Sequence, residues 1–126
     1  MDTSALWASL DPRDARHEAA LALSGFPGWL TTNYVVDELL TLALARRGAR
    51  FALRVAERVW RGDIAAIEWV SLNDERRARE CFIRFAATGA SFTDCVSFAV
   101  IERLRLAVAL SFDRHFAVPG TFVVRP

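Results

Sequence analysis

Short apolar runs rich in β-branched residues alternate along this chain with longer segments of helical periodicity. The runs that predict strands are "IAAIEWVS" (64–71), "LAVALSF" (106–112) and "TFVVR" (121–125), and "GWLTT" (28–32) is a brief extended piece. Strands that alternate with helices are joined by crossover connections and therefore lie parallel to one another. The pattern predicts an α/β domain with a mostly parallel sheet.

Glycines mark where several of the predicted helices end. The helix predicted over 33–48 ends at Gly48, and the next, 49–62, carries one apolar face at spacing four. The other predicted helices cover residues 5–10, 12–25 and 73–89, and the segment from 93 to about 104.

Helix starts are predicted from residues whose side-chain oxygen can accept a free backbone N–H of the first turn. Thr3 or Ser4 is the predicted cap of the first helix, and Asn33 that of the helix at 33–48. Thr93 is the predicted cap of the last helix.

Chain length and composition favour one compact domain. The chain has 126 residues, of which 53% are hydrophobic, so we expect a single domain over residues 1–126. No apolar run approaches the roughly 18 residues of a membrane span, and "MDTSALW" lacks the basic start of a secretory signal. Cys81 and Cys95 lie in apolar surroundings without a C-x-x-C pattern. We therefore expect buried thiols in a cytoplasmic protein that has no membrane segment.

The stretch "SFTDCVSFAV" (91–100) holds one carboxylate, Asp94, among residues that favour burial. An unpaired buried carboxylate is strongly unfavourable, so its place in this run requires a reason. In the first turn of a helix it would favour the positive helix end by about 0.3–1 kcal/mol. For Asp94 alone this structural interpretation is sufficient.

Three further acids occupy comparable positions. Asp2 directly precedes a helix, Glu38 lies in the first turns of an apolar helix, and Asp113 follows a predicted strand, where open α/β sheets place ligand sites. Two carboxylates about 5 Å apart repel by about 3 kcal/mol at an effective dielectric of about 20, so a cluster of four requires a compensating charge. A divalent cation supplies it, and oxygen ligands without His or Cys favour Mg²⁺ or Mn²⁺ over Zn²⁺.

A carboxylate-bound divalent cation activates water and stabilises negative charge on a phosphate. The acids therefore predict hydrolysis of phosphodiester bonds. Ser4 and Ser97 lack the base and orienting partner of a nucleophilic serine, which argues against triad chemistry.

Four motifs, in this order and spacing, resemble the PIN domain of VapC-type toxin ribonucleases: "DTSALWA", "TTNYVVDELLTL", "SFTDCVSFAV" and "LSFDRHF". The resemblance covers almost the whole chain, and "SFTDC" followed by "FDRHF" is its most specific part. It implies a three-layer α/β/α domain with a parallel sheet and an acidic pocket that binds Mg²⁺ or Mn²⁺. It also implies endonucleolytic cleavage of RNA, homodimerisation and silencing by a cognate antitoxin.

The same resemblance implies roles for individual residues. Asp2 and Asp94 match the main metal ligands of the family, and Glu38 and Asp113 complete its acidic pocket. Thr93 matches a hydroxyl that can hold a metal-bound water.

Two residues beside these acids are predicted to have no direct role in catalysis. Asp37 neighbours Glu38, but consecutive helical residues point about 100° apart, so only one of them can face the site. The family pattern selects Glu38. His115 could act as a general base because His titrates near neutrality. A metal-activated water needs no such base, so we interpret His115 as structural.

One departure from the family pattern lies at the N-terminus. The family has a short apolar strand, central in the sheet, before its first Asp, whereas only Met1 precedes Asp2 here. Without that strand we expect unpaired backbone groups in the sheet and a poorly fixed Asp2. We therefore expect a misassigned start codon or a shortened chain, with the natural N-terminus upstream of Met1.

Arginine supplies every cationic side chain, and six of these residues lie between 46 and 61 against the single acid Glu57. A row of them at spacing four could bind RNA phosphates or an acidic antitoxin segment, although a solvated helix face is the simpler interpretation. The row consists of Arg46, Arg50, Arg54 and Arg58. The four Trp residues are predicted to lie in the core or an interface.

The sequence thus predicts a metal-dependent endoribonuclease that acts as the toxin of a toxin–antitoxin pair. The alternative is a PIN-like module, catalytically weak or inactive, that binds RNA or protein without cutting it. A third interpretation is a structural partner subunit in which the acids serve only as helix-end charges.

Overall fold

The strands form two parallel pairs. In the computed structural model, which describes residues 1–25, 27–117, 119–120 and 122–125, β1 (Leu30–Thr32) pairs with β2 (Ala66–Glu68), and β3 (Val108–Leu110) pairs with β4 (Val123–Arg125). The predicted parallel pairing is confirmed. The strand predicted at 121–125 begins at Val123, and Thr121 lies outside the described residues.

Residues 1 and 2 join the two strand pairs. The Met1 α-amino group donates a hydrogen bond to the Leu30 carbonyl, and Thr31 Oγ1 donates one to the Met1 carbonyl at 3.1 Å. On the other side, the Asp2 N–H donates to the Leu110 carbonyl at 3.2 Å. The expectation that Asp2 is poorly fixed is therefore wrong, because two residues suffice to tie β1 to β3.

The helices pack around these strands. They are α1 (Thr3–Leu10), α2 (His17–Ser24), α3 (Asn33–Trp60), α4 (Leu72–Phe85) and α5 (Phe92–Leu104), with 3₁₀ turns at Ala86–Thr88 and Arg114–Ala117. The predicted break at Gly48 is confirmed as a kink within α3, where φ is 75° and ψ is 175°. Across the described ranges, no helix combines the length and the apolar character that crossing a membrane requires.

Helix caps differ from the prediction at three places. Asp2 caps α1, since its Oδ1 accepts the Ala5 N–H at 2.9 Å. Thr32 caps α3, and Ser91 rather than Thr93 caps α5. Each of these residues has the extended backbone that a cap requires, whereas the predicted caps already lie inside the helices.

Two hydrophobic clusters hold the helices against the strands. One joins α1 and α3 around the fully buried Leu39, and the other joins α5 and β3 around Phe116. The predicted α/β/α architecture with a parallel sheet is confirmed. Cys95 is buried as expected, but Cys81 is partly exposed.

Asp74, in the first turn of α4, is fully buried. Its Oδ2 accepts hydrogen bonds from the Ser71 N–H at 2.9 Å and the Ser71 hydroxyl at 2.7 Å, and its Oδ1 accepts one from Arg103 Nε at 2.8 Å. Arg103 also binds Glu68 at 2.8 Å, so one guanidinium ties α5 to α4 and β2. Burial alone would raise the pKa of Asp74, but the hydrogen bonds from Arg103 and Ser71 outweigh it and lower the pKa.

We expect Asp74→Asn to lower the free energy of unfolding by about 1.5–3 kcal/mol, because it weakens a buried, charge-assisted hydrogen bond. Urea denaturation followed by circular dichroism at pH 7 measures this change. The control is Glu102→Gln, which removes an exposed carboxylate 3.5 Å from Arg77. The control should change the free energy by less than about 0.5 kcal/mol. Equal effects of the two substitutions would contradict a structural role for Asp74.

Candidate active site

The four acids predicted as a site line one open cleft of about 550 Å³ at the carboxyl ends of β1 and β3. They come from separate parts of the chain: Asp2 before α1, Glu38 in α3, Asp94 in α5 and Asp113 after β3. Thr93 lines the same cleft. The fold thus brings together side chains that are far apart in the sequence.

Asp2 is the most firmly held of these acids. Only 5% of its surface is exposed, and its carboxylate accepts hydrogen bonds from the Ala5 N–H at 2.9 Å and from Ser111 Oγ at 2.6 Å. Ser4 Oγ lies 2.9 and 2.8 Å from its two oxygens. Burial raises the pKa of Asp2 above the ordinary 3.8, and the hydrogen bonds from Ser111, Ala5 and Ser4 offset this only in part.

Ser4 and Ser111 connect Asp2 to the loop that carries Asp113. Ser4 Oγ accepts the Phe112 N–H at 2.8 Å, and Ser111 Oγ accepts the Asp113 N–H at 3.0 Å. Each hydroxyl thus accepts a backbone N–H from the loop and donates its own proton to Asp2. The sequence analysis missed both serines as positioning residues. Their only local signal is that each stands two residues from one of the acids.

Glu38 and Asp37 point to different surfaces of α3. Glu38 is exposed, lines the acidic cleft and accepts a hydrogen bond from Thr3 Oγ1. Asp37 instead lines a separate, mostly apolar groove with Leu44 and Trp60. The separation agrees with the helical angle of about 100° between neighbours.

Asp94 is held by a capping box at the start of α5. Its Oδ2 accepts the Ser91 N–H at 2.8 Å, and Ser91 Oγ accepts the Asp94 N–H at 3.0 Å. Burial raises the pKa of Asp94, the hydrogen bonds from Ser91 oppose this, and the negative charge of Asp113 adds to the rise. His115 acts in the opposite direction. The net direction is upward, so the ionised form of Asp94 is disfavoured by its surroundings.

Asp113 contacts the adjacent His115. Its Oδ1 accepts the His115 N–H at 2.9 Å and lies 3.0 Å from His115 Nδ1, while 43% of the Asp113 side chain is exposed. The His115 ring also packs against Gly89, where an added Cβ would lie 3.2 Å from Nε2. Gly89 also has a φ of 93°, a backbone conformation that favours glycine, and an added Cβ would be in tight contact with the His115 ring. His115 therefore packs between Asp113 and the loop before α5.

Thr93 lies in the first turn of α5, directly before Asp94, and is half-buried at the cleft. It does not cap the helix, because Ser91 already occupies that position. Its hydroxyl group is therefore not used by the helix start.

The donor set of the cleft suits a hard divalent cation, because it consists of carboxylate and hydroxyl oxygens. Within the described ranges, no three Asp, Glu, His or Cys side chains lie close enough together to form a ready-made metal site. Glu38 and Asp113 are exposed or partly exposed, and such side chains change rotamer rapidly. The lining is thus chemically compatible with a hard divalent cation if these two side chains rotate toward Asp2 and Asp94.

Known proteins resemble this chain over its full length. The model of the PIN domain family matches residues 1–120. The 23S rRNA-specific endonuclease VapC20 of two Mycobacterium tuberculosis strains is 36% identical over 129 residues, covering 100% of this chain and 97% of the relative. A crystal structure of Mycobacterium tuberculosis VapC20, described as a sarcin–ricin loop cleaving toxin, matches with a TM-score of 0.86 and 34% identity, covering 97% of this chain and 94% of that one. This chain therefore belongs to the PIN domain family.

Proposed function

We propose that this protein is a metal-dependent endoribonuclease and the toxin of a toxin–antitoxin pair. The observation that carries the proposal is that four acids from distant parts of a PIN domain chain line a single cleft. The similarity to a 23S rRNA-specific endonuclease supports RNA as the substrate. We further propose a cytoplasmic homodimer that is silenced by a cognate antitoxin.

The proposed cofactor is Mg²⁺ or Mn²⁺. When bound, such a cation supplies an activated water and offsets negative charge on the scissile phosphate. Asp2 and Asp94 are suited to hold it, since backbone and serine hydrogen bonds already fix both carboxylates. Glu38 and Asp113 would complete the ligand set from the more exposed side of the cleft. Thr93 does not cap α5, because Ser91 does, and its hydroxyl group is suited to orient a water beside Asp94.

The alternative is a PIN-like module that binds RNA or protein without cutting it. The absence of a ready-made cluster of three ligands among the described residues is the observation that favours it. The two functions differ in one measurable respect, because a binding module shows no turnover that depends on Mg²⁺ or Mn²⁺.

We expect Asp94→Asn to lower metal-dependent RNA cleavage by more than about 100-fold, since loss of a direct ligand exceeds the typical effect of losing an outer-shell partner. A labelled RNA hairpin carrying the sarcin–ricin loop of 23S rRNA is the first substrate, with Mg²⁺ or Mn²⁺ in the assay. Circular dichroism checks that the variant folds. Equal cleavage by wild type and variant would refute the assigned role of Asp94.

Glu38→Gln and Asp37→Asn form a matched pair, because they remove adjacent charges that face different surfaces. We expect Glu38→Gln to lower cleavage by about 10- to 100-fold and to raise the Mg²⁺ concentration that gives half-maximal activity. Asp37→Asn should leave both quantities within about 2-fold of wild type, as a substitution outside the site. Cleavage assays over a Mg²⁺ titration make the comparison. The reverse order of effects would show that the family pattern selects the wrong residue.

The raised pKa of Asp94 also predicts how stability depends on pH without metal. Between the ordinary value of 3.8 and the raised pKa, the folded chain binds more protons at Asp94 than the unfolded chain does. This contribution therefore stabilises the fold at low pH and is lost as pH rises through the folded pKa. Urea denaturation in EDTA from pH 4 to 7 should show Asp94→Asn gaining stability relative to wild type as pH rises. A difference that is constant with pH would contradict the assigned environment of Asp94.

A further inference from the structure

Two arginines line the acidic cleft together with the four acids: Arg16, in the turn before α2, and Arg46, in α3. Both are exposed. Each guanidinium lies over an aromatic ring, with Arg46 Cζ 5.3 Å from the centre of the Trp7 ring and Arg16 Cζ 5.5 Å from that of Phe112. Trp7 is buried, as expected of a core residue, so its ring is a support for Arg46 and not a free stacking surface.

These arginines are not used to neutralise the acids of the cleft. In the part of the chain that the structure describes, neither Arg16 nor Arg46 forms an ion pair with a carboxylate, whereas the neighbouring Arg47 pairs with Asp11. A guanidinium that stacks on a ring keeps its N–H edge free to donate. That edge matches phosphate oxygens in a bidentate arrangement.

The position of Arg46 along α3 separates it from the acids. It follows Glu38 by eight residues, which is about 12 Å along a helix axis. Arg46 is therefore suited to an anion beside the one that the acids would engage. Arg16 sits over Phe112, the residue before Asp113, and so lies beside another acid of the cleft.

We propose that Arg16 and Arg46 are substrate-binding residues that hold backbone phosphates of the RNA beside the cleavage site. This inference rests on the proposed function. Both arginines line the same cleft as the acids, and a phosphodiester chain is the polymer on which those acids are proposed to act. Because guanidinium groups cover both aromatic rings, these rings do not offer a stacking surface to bases, and we expect the arginines to contact phosphates independently of RNA sequence.

The test compares Arg16→Gln and Arg46→Gln with Arg54→Gln. Arg54 is an exposed arginine of α3 whose Cζ lies 5.8 Å from the centre of the Phe51 ring, but it does not line the cleft. Arg54 is therefore chemically similar to Arg16 and Arg46 but lies outside the cleft. Binding of fluorescein-labelled oligoribonucleotides of several sequences is measured by anisotropy in EDTA, over a range of salt concentrations.

We expect each cleft variant to weaken binding about 10-fold for every sequence and to reduce the slope of log affinity against log salt by about 0.7. In metal-containing assays KM should rise more than kcat falls. Arg54→Gln should retain the wild-type affinity and slope. Arg46→Lys, which keeps the charge, should keep the slope while losing part of the affinity, and thereby separates phosphate binding from a change of fold.

Affinities and salt slopes of the two cleft variants equal to those of Arg54→Gln would overturn the proposal. Loss of binding to a Glu-rich peptide with unchanged RNA binding would also overturn it, and would assign the arginines to an acidic protein segment. The anisotropy measurement of RNA binding does not depend on RNA cleavage. Wild type that binds RNA through these arginines but never cleaves it would therefore refute the endoribonuclease function alone.

Discussion

Asp2 is the residue on which both the sheet and the cleft depend. Its N–H bonds to β3, its carboxylate caps α1, and the hydroxyls of Ser4 and Ser111 bind its side chain. Because those hydroxyls also accept N–H groups of the loop after β3, one buried acid fixes the spacing of α1, the strand and the loop that carries Asp113. Burial raises the pKa of Asp2, and the hydrogen bonds from Ser111, Ala5 and Ser4 and the charge of the N-terminal amino group offset this only in part. A bound cation would remove that imbalance.

The same capping box begins α4 and α5, with opposite outcomes for its carboxylate. Asp74 meets Arg103, and the pKa of Asp74 falls despite complete burial. Burial raises the pKa of Asp94, and the like charge of Asp113 adds to the rise. The Ser-x-x-Asp pattern therefore places each carboxylate in the first turn of a helix. The residues that pack against that carboxylate determine whether it forms a buried ion pair or lines a cleft. A paired acid stabilises the fold, whereas an unpaired acid at a cleft remains able to bind a ligand.

Local backbone preference explains what the sequence predicted well. The kink at Gly48 and the parallel strands follow from residue conformation and apolar periodicity, and the grouping of the four acids follows from family motifs. The caps could not be chosen locally, because neighbouring Ser, Thr, Asn and Asp residues are equal candidates until the segment before each helix fixes which residue has the extended backbone. The part played by Met1 between β1 and β3 depends on hydrogen bonds to residues near 30 and 110, which no local pattern reveals.

The cleft contains three kinds of charged side chain. Asp2 and Asp94 are the less exposed acids, Glu38 and Asp113 are the more exposed acids, and Arg16 and Arg46 are arginines that lie over aromatic rings. Asp2 and Asp94 accept backbone N–H groups at the starts of α1 and α5, whereas Glu38 accepts from Thr3, Asp113 accepts from His115, and both of these acids are more exposed. The cleft arginines lie over aromatic rings, and among the described residues neither forms an ion pair with these acids, so the cleft offers both negative and positive side chains. A hard cation held by the acids, as proposed, would offset the negative charge of the acids and leave the guanidinium groups unaffected. The ligand that would complement such a site is a continuous polyanion, because its successive charges could meet the proposed cation and the guanidinium groups at once.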